Sequence, residues 1–157
     1  MKNNLVKSAA INGVVAALYF VLTYFLQPIA FSPVFQVRLG EALTLLPFVF
    51  GNSYIGLAAG CFLANLSSPF RIIDALLGSS VTLIAGFLTS RIKNVWLAPL
   101  PPVLLNAFLL PLVWKLCGSD VVYVESMLSL LLTQGVTVYA IGIPIVTVIG
   151  NYRKKNG

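Results

Sequence analysis

Long apolar runs separated by short polar joints set the pattern of this chain. Residues 5–26 form one such run. It is long enough to cross a bilayer as a helix, since a span needs roughly 20 residues at about 1.5 Å rise each. It is also too long for a signal peptide, and no clean small-residue cleavage site follows, so it reads as a retained span. Residues 27–37 hold Pro28 and Pro33 and read as a loop. Two short apolar segments follow, 39–50 and 54–66, joined at Gly51-Asn52-Ser53. The first is too short to cross alone. It is either a short helix packed inside protein or half of a re-entrant hairpin. After the break Ser67-Ser68-Pro69, helices are predicted over 72–90, 95–116 and 126–149, with Pro99, Pro101 and Pro102 near the start of the second. The prediction is an all-α membrane protein. It is a bundle of six transmembrane helices, with segments 2 and 3 short or re-entrant, in one integral membrane domain over 1–157.

Composition agrees with a bilayer as the solvent. Of 157 residues, 59% are hydrophobic and only 9% charged, against about 25% charged in soluble domains. A soluble core of this size cannot hide so much apolar surface, and no length remains for a soluble catalytic domain. There is no histidine, which removes the commonest general base and metal ligand. Cys61 and Cys117 stand far apart in apolar context, without a C-x-x-C, and read as small packing residues. Neither a metal nor a cofactor is implied. A G-x-x-x-x-G-K-[ST] loop, a nucleophile elbow and H-E-x-x-H are all missing, so ATP hydrolysis and the common hydrolytic chemistries are excluded, and no catalytic residue is named.

The net charge of +6 has a topological reading rather than a nucleic-acid one. Lys2 and Lys7 precede the first helix, Arg91 and Lys93 lie between the fourth and fifth, and Arg153, Lys154 and Lys155 close the chain. These sites fall on one side if both termini are cytoplasmic, as the positive-inside rule expects of a multi-pass plasma-membrane protein. The other side then carries Arg38, Arg71 and Lys115 with all four acids, Glu41, Asp74, Asp120 and Glu125. A hairpin by segments 2 and 3 leaves that parity unchanged.

Two acid–base pairs share a spacing of three: Arg38 with Glu41, and Arg71 with Asp74. Each pair can occupy one helical face. Gln36, Thr44, Asn65, Ser67 and Ser68 stand nearby, and Asn65 ends an apolar segment where its amide needs a partner. Ionisable groups within a membrane are functional candidates. The plainer reading is structural: Asp74 as a helix cap, Glu41 as a first-turn acid suiting the helix dipole, both pairs as interfacial ion pairs. Small residues recur at intervals of four in Ala9, Gly13 and Ala17, and in Gly56, Gly60 and Ala64, with Gly78 and Gly86 around Thr82. Such faces permit close helix approach, either within this chain or, on helix 1, against another membrane subunit. Phe31, Phe35, Tyr54, Phe62 and Phe70 are suited to stacking on a flat ligand and equally to core or interface roles. A stand-alone secondary carrier is a competing class. The missing internal repeat and the acids gathered toward one face weigh against it.

The run Phe35-Gln36-Val37-Arg38-Leu39-Gly40-Glu41-Ala42-Leu43-Thr44-Leu45-Leu46-Pro47 resembles the F-Q-x-R-x-x-E-A-L-T-x-L-P signature of the queuosine-precursor transporter family, QueT. Ala16-Ala17-Leu18-Tyr19 with Leu22-Thr23, the segment Cys61 to Leu66, and the D-x-x-x-G-S stretch from Asp74 to Ser79 are similar to its other recurring segments. The resemblance weakens after about residue 120. It implies a substrate-capture (S) subunit of an energy-coupling factor importer, working with a membrane coupling subunit and two ATPases on separate chains. The implied ligand is a 7-deazaguanine: a queuosine precursor or queuine. An S component for another vitamin is the alternative. The resemblance further implies that Ala9, Gly13 and Ala17 meet the coupling subunit, with Gly13 replacing an alanine of the family pattern. Its implied binding set is Glu41, Arg38, Asn65, Asp74, Gln36 and Thr44. Glu41 would accept two parallel N–H bonds from a guanine-like edge, Arg38 or Asn65 would donate to the ring oxygen, and Asp74 would face an aminomethyl group.

Overall fold

In the computed structural model, which describes residues 2–30 and 37–156, all regular structure among the described residues is helical. Helix α1 (Lys2–Tyr24) is followed by a single turn, α2 (Gln27–Ala30). A 3₁₀ segment, Leu39–Leu45, leads into the short α3 (Leu46–Phe50). A 3₁₀ turn, Gly51–Ser53, then gives α4 (Tyr54–Asn65). The remaining helices are α5 (Ile72–Arg91), α6 (Leu100–Leu116), α7 (Tyr123–Thr137) and α8 (Ile143–Asn156). A π turn, Val138–Gly142, joins the last two into one rod. Among the described residues, four stretches are long and apolar enough to cross a membrane: Leu5–Tyr24, Leu39–Asn65, Ile72–Arg91 and Tyr123–Lys155.

The departures from the expected boundaries follow from proline and glycine chemistry. Residues 27–30, expected as loop, form one helical turn with Pro28 near its start, where a missing N–H costs nothing. Segment 2 begins as 3₁₀ and becomes α-helical only around Pro47, which cannot donate to the carbonyl four residues back. Residues 95–99 are turn rather than helix: Asn94 Oδ1 accepts from the Trp96 N–H (2.9 Å), and α6 starts at Leu100 with prolines in its first turn. The last helix runs from Tyr123 to Asn156 rather than over 126–149. Pro144 lies just after its π turn, and the wider turn accommodates a residue that can neither donate to nor clear the carbonyl four back.

Segments 2 and 3 form a hairpin. Position 40 lies against Thr23 and Tyr19 late in α1, whereas Gly56 lies against Asn12 and Gly60 against Ala16. Segment 2 therefore descends antiparallel to α1, and α4 climbs back parallel to it. The reversal falls at Gly51, held at φ +41°. Helix α4 packs between α1 and α5, and α6 and α7 continue the series; the Leu39–Leu45 segment is pressed against the π turn. The hairpin turn reaches the end of the bundle where the basic residues gather. Lys7, Phe48, Arg153 and Lys154 border one cavity there, Lys93 and Lys154 border its neighbour, and Arg153 bonds the Val49 carbonyl. Lys7 and Arg153 belong to opposite ends of the chain, so both ends lie at this face.

The surface is the inverse of a soluble protein. Leu5, Val14, Leu18, Leu76, Leu83, Leu104, Leu112, Leu132 and Val136 are exposed, while Arg38, Glu41, Asn65, Asp74, Asn106 and Gln134 are buried. Lipid makes the outward leucines harmless and forces each polar group to find a partner inside. Close helix contact supplies part of the cohesion. The backbone N–H of Gly56 donates to Asn12 Oδ1 (2.6 Å). A Cβ on Gly60 would stand 2.6 Å from the Ala16 carbonyl, and one on Gly86 2.6 Å from Tyr54 Cβ. Gly56, Gly60, Ala64, Gly78 and Gly86 are thus internal packing positions. Of the two cysteines, Cys61 is buried as a packing residue should be, but Cys117 is exposed at the end of α6, where it packs against little.

Two glycine substitutions separate packing from propensity. Gly60→Ala forces α4 off the α1 backbone and is expected to cost about 1–3 kcal/mol of stability. Gly13→Ala adds a Cβ to open space and is expected to be neutral or stabilising by up to about 1 kcal/mol through helix propensity. Thermal unfolding of both variants in the same detergent checks the pair; equal Tm values would refute the packing assignment.

Candidate functional site

The 3₁₀ segment carries the centre of the polar interior. Arg38 precedes it in extended conformation (φ −101°, ψ 98°), and the Glu41 N–H donates to the Arg38 carbonyl (3.0 Å). Both side chains are buried. The guanidinium acts electrostatically on the carboxylate, and its Nε donates to the Ala30 carbonyl (3.1 Å), tying the segment to α2.

Glu41 is 3% exposed and is met by donors from three helices. The Tyr19 hydroxyl of α1 donates to Oε1 (2.6 Å). Oε2 accepts from Asn106 Nδ2 of α6 (3.2 Å) and from Gln134 Nε2 of α7 (3.0 Å). Gln134 Nε2 also reaches the Pro102 carbonyl (3.3 Å). A carboxylate offers about four lone-pair positions; three of Glu41's are filled by these groups. Thr44 does not take part through its side chain. Its hydroxyl donates to the Glu41 backbone carbonyl (2.6 Å), a local bond that closes the segment.

A second cluster lies toward the start of α5. Trp114 Nε1 donates to Asp74 Oδ1 (2.9 Å), and Asn65 Nδ2 donates to the Asp74 carbonyl (3.1 Å) and to Cys61 Sγ (3.3 Å). The Thr82 hydroxyl also donates to Cys61 (3.4 Å). Cys61, Asn65, Asp74 and Trp114 thus form one hydrogen-bonded group around the second acid. The Arg71–Asp74 pairing takes a different form. Arg71 is exposed and holds a positive φ of 42°, while Asp74 is buried, in the third position of α5, against Trp114. Asp74 is a first-turn acid rather than the cap, and no side-chain cap bond is made by the residue before the helix.

Gln36, Phe31 and Phe35 lie outside the described residues. Above the Glu41 cluster, at the end of α1, a cavity of about 680 Å³ is bordered by Tyr24, Gln27, Pro28, Ser67, Ser68 and Arg71. Tyr24, which borders the cavity, is about 7–8 Å along the helix axis from Tyr19, which bonds the carboxylate. Ala9, Gly13 and Ala17 form an outward face of α1: all three are exposed, and nothing lies within 4 Å of a Cβ built on Gly13. Helix α1 uses Asn12, Ala16 and Tyr19 for its internal contacts instead.

Asn106, Gln134, Tyr19 and Trp114 went unremarked as site residues in the sequence. Asn106 and Gln134 had a usable signal. Each is an amide within an apolar helix, a costly placement that calls for an internal partner. Nothing along the chain indicated that both would turn toward Glu41, 65 and 93 residues away.

Apolar side chains outside and a hydrogen-bonded carboxylate network inside define the class, a helical membrane transport protein. The chain matches the QueT transporter family over residues 9–151 and belongs to it; this is the queuosine-precursor transporter family. Membership makes the protein a transporter rather than an enzyme. No curated protein and no solved structure matches the chain.

Glu41→Gln tests the network directly. The amide presents a donor where Glu41 receives only donors, so at least one N–H loses its acceptor. An unsatisfied buried group costs about 1–3 kcal/mol. The expected outcome is a lower Tm, with Tyr19→Phe milder because Glu41 loses one donor on Oε1 and keeps both on Oε2. An unchanged Tm in Glu41→Gln would show that the carboxylate is not the acceptor the geometry makes it.

Proposed function

We propose that this protein is the substrate-capture subunit of an energy-coupling factor importer, binding a 7-deazaguanine queuosine precursor or queuine outside the cell. The observation that carries this reading is the Glu41 carboxylate, buried beside Arg38 and held by donors from α1, α6 and α7. A guanine-like edge offers two adjacent N–H groups, and a carboxylate accepts both in parallel. One base N–H would take the remaining lone pair of Oε1 and the other would displace Gln134 from Oε2, Gln134 keeping the Pro102 carbonyl and Asn106 staying in place. Arg38 is the better donor for the ring oxygen, because Asn65 Nδ2 is engaged by Asp74 and Cys61. Asp74, the second buried acid, is the residue assigned to an aminomethyl group. The cavity bordered by Gln27, Ser67 and Arg71 provides the outer vestibule.

The rest of the assembly follows from the same reading. Taken with the hairpin of segments 2 and 3, the helices make a six-segment bundle forming a single membrane domain. The gathering of Lys7, Lys93, Arg153 and Lys154 at one end supports a cytoplasmic location for both termini in the plasma membrane. The open Ala9–Gly13–Ala17 face of α1 is where a membrane coupling subunit docks, and two ATPases on other chains supply the energy. Small residues allow close backbone approach between helices in lipid.

Calorimetric titration of the purified chain in detergent with a 7-deazaguanine precursor, with guanine and riboflavin as controls, tests the reading. Binding of the deazaguanine alone, weakened at least tenfold in Glu41→Gln, is expected. Folded protein that ignores the deazaguanine refutes the ligand assignment. In vesicles containing the complete transporter, Gly13→Leu is expected to leave ligand affinity unchanged and to abolish ATP-driven uptake. Uptake at the unsubstituted rate removes the docking face.

A further inference from the structure

The cluster around Glu41 contains one group that the hydrogen bonds described so far leave unused. Asn106 is 2% exposed, and its Nδ2 is committed to Glu41 Oε2 at 3.2 Å. Its Oδ1 is buried and receives no hydrogen bond among the described residues. Turning the amide over would set this oxygen against the carboxylate, so the bond to Glu41 fixes which end of the amide is left over. A buried acceptor without a donor is unfavourable in a membrane interior, where no solvent compensates it. A site is a more economical explanation than a packing defect here, because the orphan atom sits one bond from the carboxylate on which three helices converge.

We infer that Asn106 is a specificity-determining residue, its Oδ1 accepting an N–H from an exocyclic amino group of a 2-amino-4-oxo pyrimidine edge. This rests on the proposed function. It adds a discrimination that Glu41 alone does not supply. Such an edge carries a ring N–H and an amino group, three N–H bonds in all, and a carboxylate in a planar fork accepts two of them. The third hydrogen, on the outer side of the amino group, needs another acceptor adjacent to the carboxylate. Asn106 Oδ1 belongs to the amide already bonded to Glu41, so it lies next to the fork. Gln134 has a different part. Its Nε2 is shared between Glu41 and the Pro102 carbonyl, so it keeps a partner, and α7 its tie to α6, when a base takes its place on Oε2. Sites built to hydrogen-bond a substrate group discriminate strongly against analogues that lack it, because the protein's own polar atom is then left unpaired. Asn106 Oδ1 is such an atom.

The test compares two bases on the full chain in detergent: a 7-deazaguanine, and the 7-deazahypoxanthine that differs only by loss of the amino group. For the unsubstituted protein, the amino-bearing base is expected to bind at least about tenfold more tightly. In Asn106→Leu, nearly the same size but without an acceptor, the ratio is expected to fall several-fold, mainly by weakening of the amino-bearing base, leaving the share due to the amino hydrogen that Glu41 accepts. Asn106→Ser gives the same readout should the leucine variant unfold, with an intermediate ratio because its hydroxyl accepts from a shorter reach. Equal losses for both bases in a folded variant, with the ratio kept, would overturn the assignment and leave Asn106 a structural support for Glu41. Deazaguanine binding by the unsubstituted protein with no preference over deazahypoxanthine would also overturn it, while the proposed function stands. Binding of neither base would remove both.

Discussion

A carboxylate carried into the middle of a membrane protein constrains everything packed around it. Left alone, a buried ion costs several kcal/mol even after relaxation, and the penalty at membrane depth is of the same order or larger. Glu41 escapes it because Tyr19, Asn106 and Gln134 arrive from α1, α6 and α7, with Arg38 beside it. Those helices cannot drift apart without stranding the acid, so the network ties the first third of the chain to the last. The packing details serve that end. A Cβ at position 40 would meet the Thr23 hydroxyl at 2.4 Å, and one at position 142 would meet the Ala42 carbonyl at 2.9 Å. Glycine at both positions lets the Leu39–Leu45 segment lie close against α1 on one side and the π turn on the other.

The same economy explains the two faces of α1. Toward the bundle, Asn12 accepts from the Gly56 backbone, Ala16 abuts Gly60, and Tyr19 donates to Glu41. Away from it, Ala9, Gly13 and Ala17 are exposed. Hydrophobic driving force is absent between helices in lipid, so an exposed flat stripe has no cost there and remains available for another helix. Asp74, the second buried acid, is held in its own group by Trp114 on the carboxylate and Asn65 on the backbone carbonyl.

Much of the fold was legible from pattern. The apolar runs located α1, α4 and α5 to within a residue or two at most ends, and the Gly51-Asn52-Ser53 joint marked the hairpin turn. Boundaries went astray where local bonding overrode apolarity. Residues 95–99 are as apolar as a helix start, yet the Asn94 turn and three prolines delay α6 to Leu100. The continuation of the last helix through Asn156 was hidden because its end is charged rather than apolar, and a π turn carries it past Pro144.

The site divides along the same line. The sequence by itself determined the solvent, since 59% apolar residues with 9% charged leave no soluble alternative, and it singled out Arg38 and Glu41 as ionisable residues next to an apolar run. It also carried the family signature in residues 35–47. Only the tertiary structure decided who satisfies Glu41, which of the small-residue faces is buried, and that Asp74 answers to Trp114 rather than Arg71. Those are contacts between residues tens of positions apart. They depend on the hand and register with which helices cross, and a one-dimensional pattern of apolar and polar positions does not encode that choice: every helix here is apolar on nearly all sides, so amphipathicity gives no direction in which to turn it.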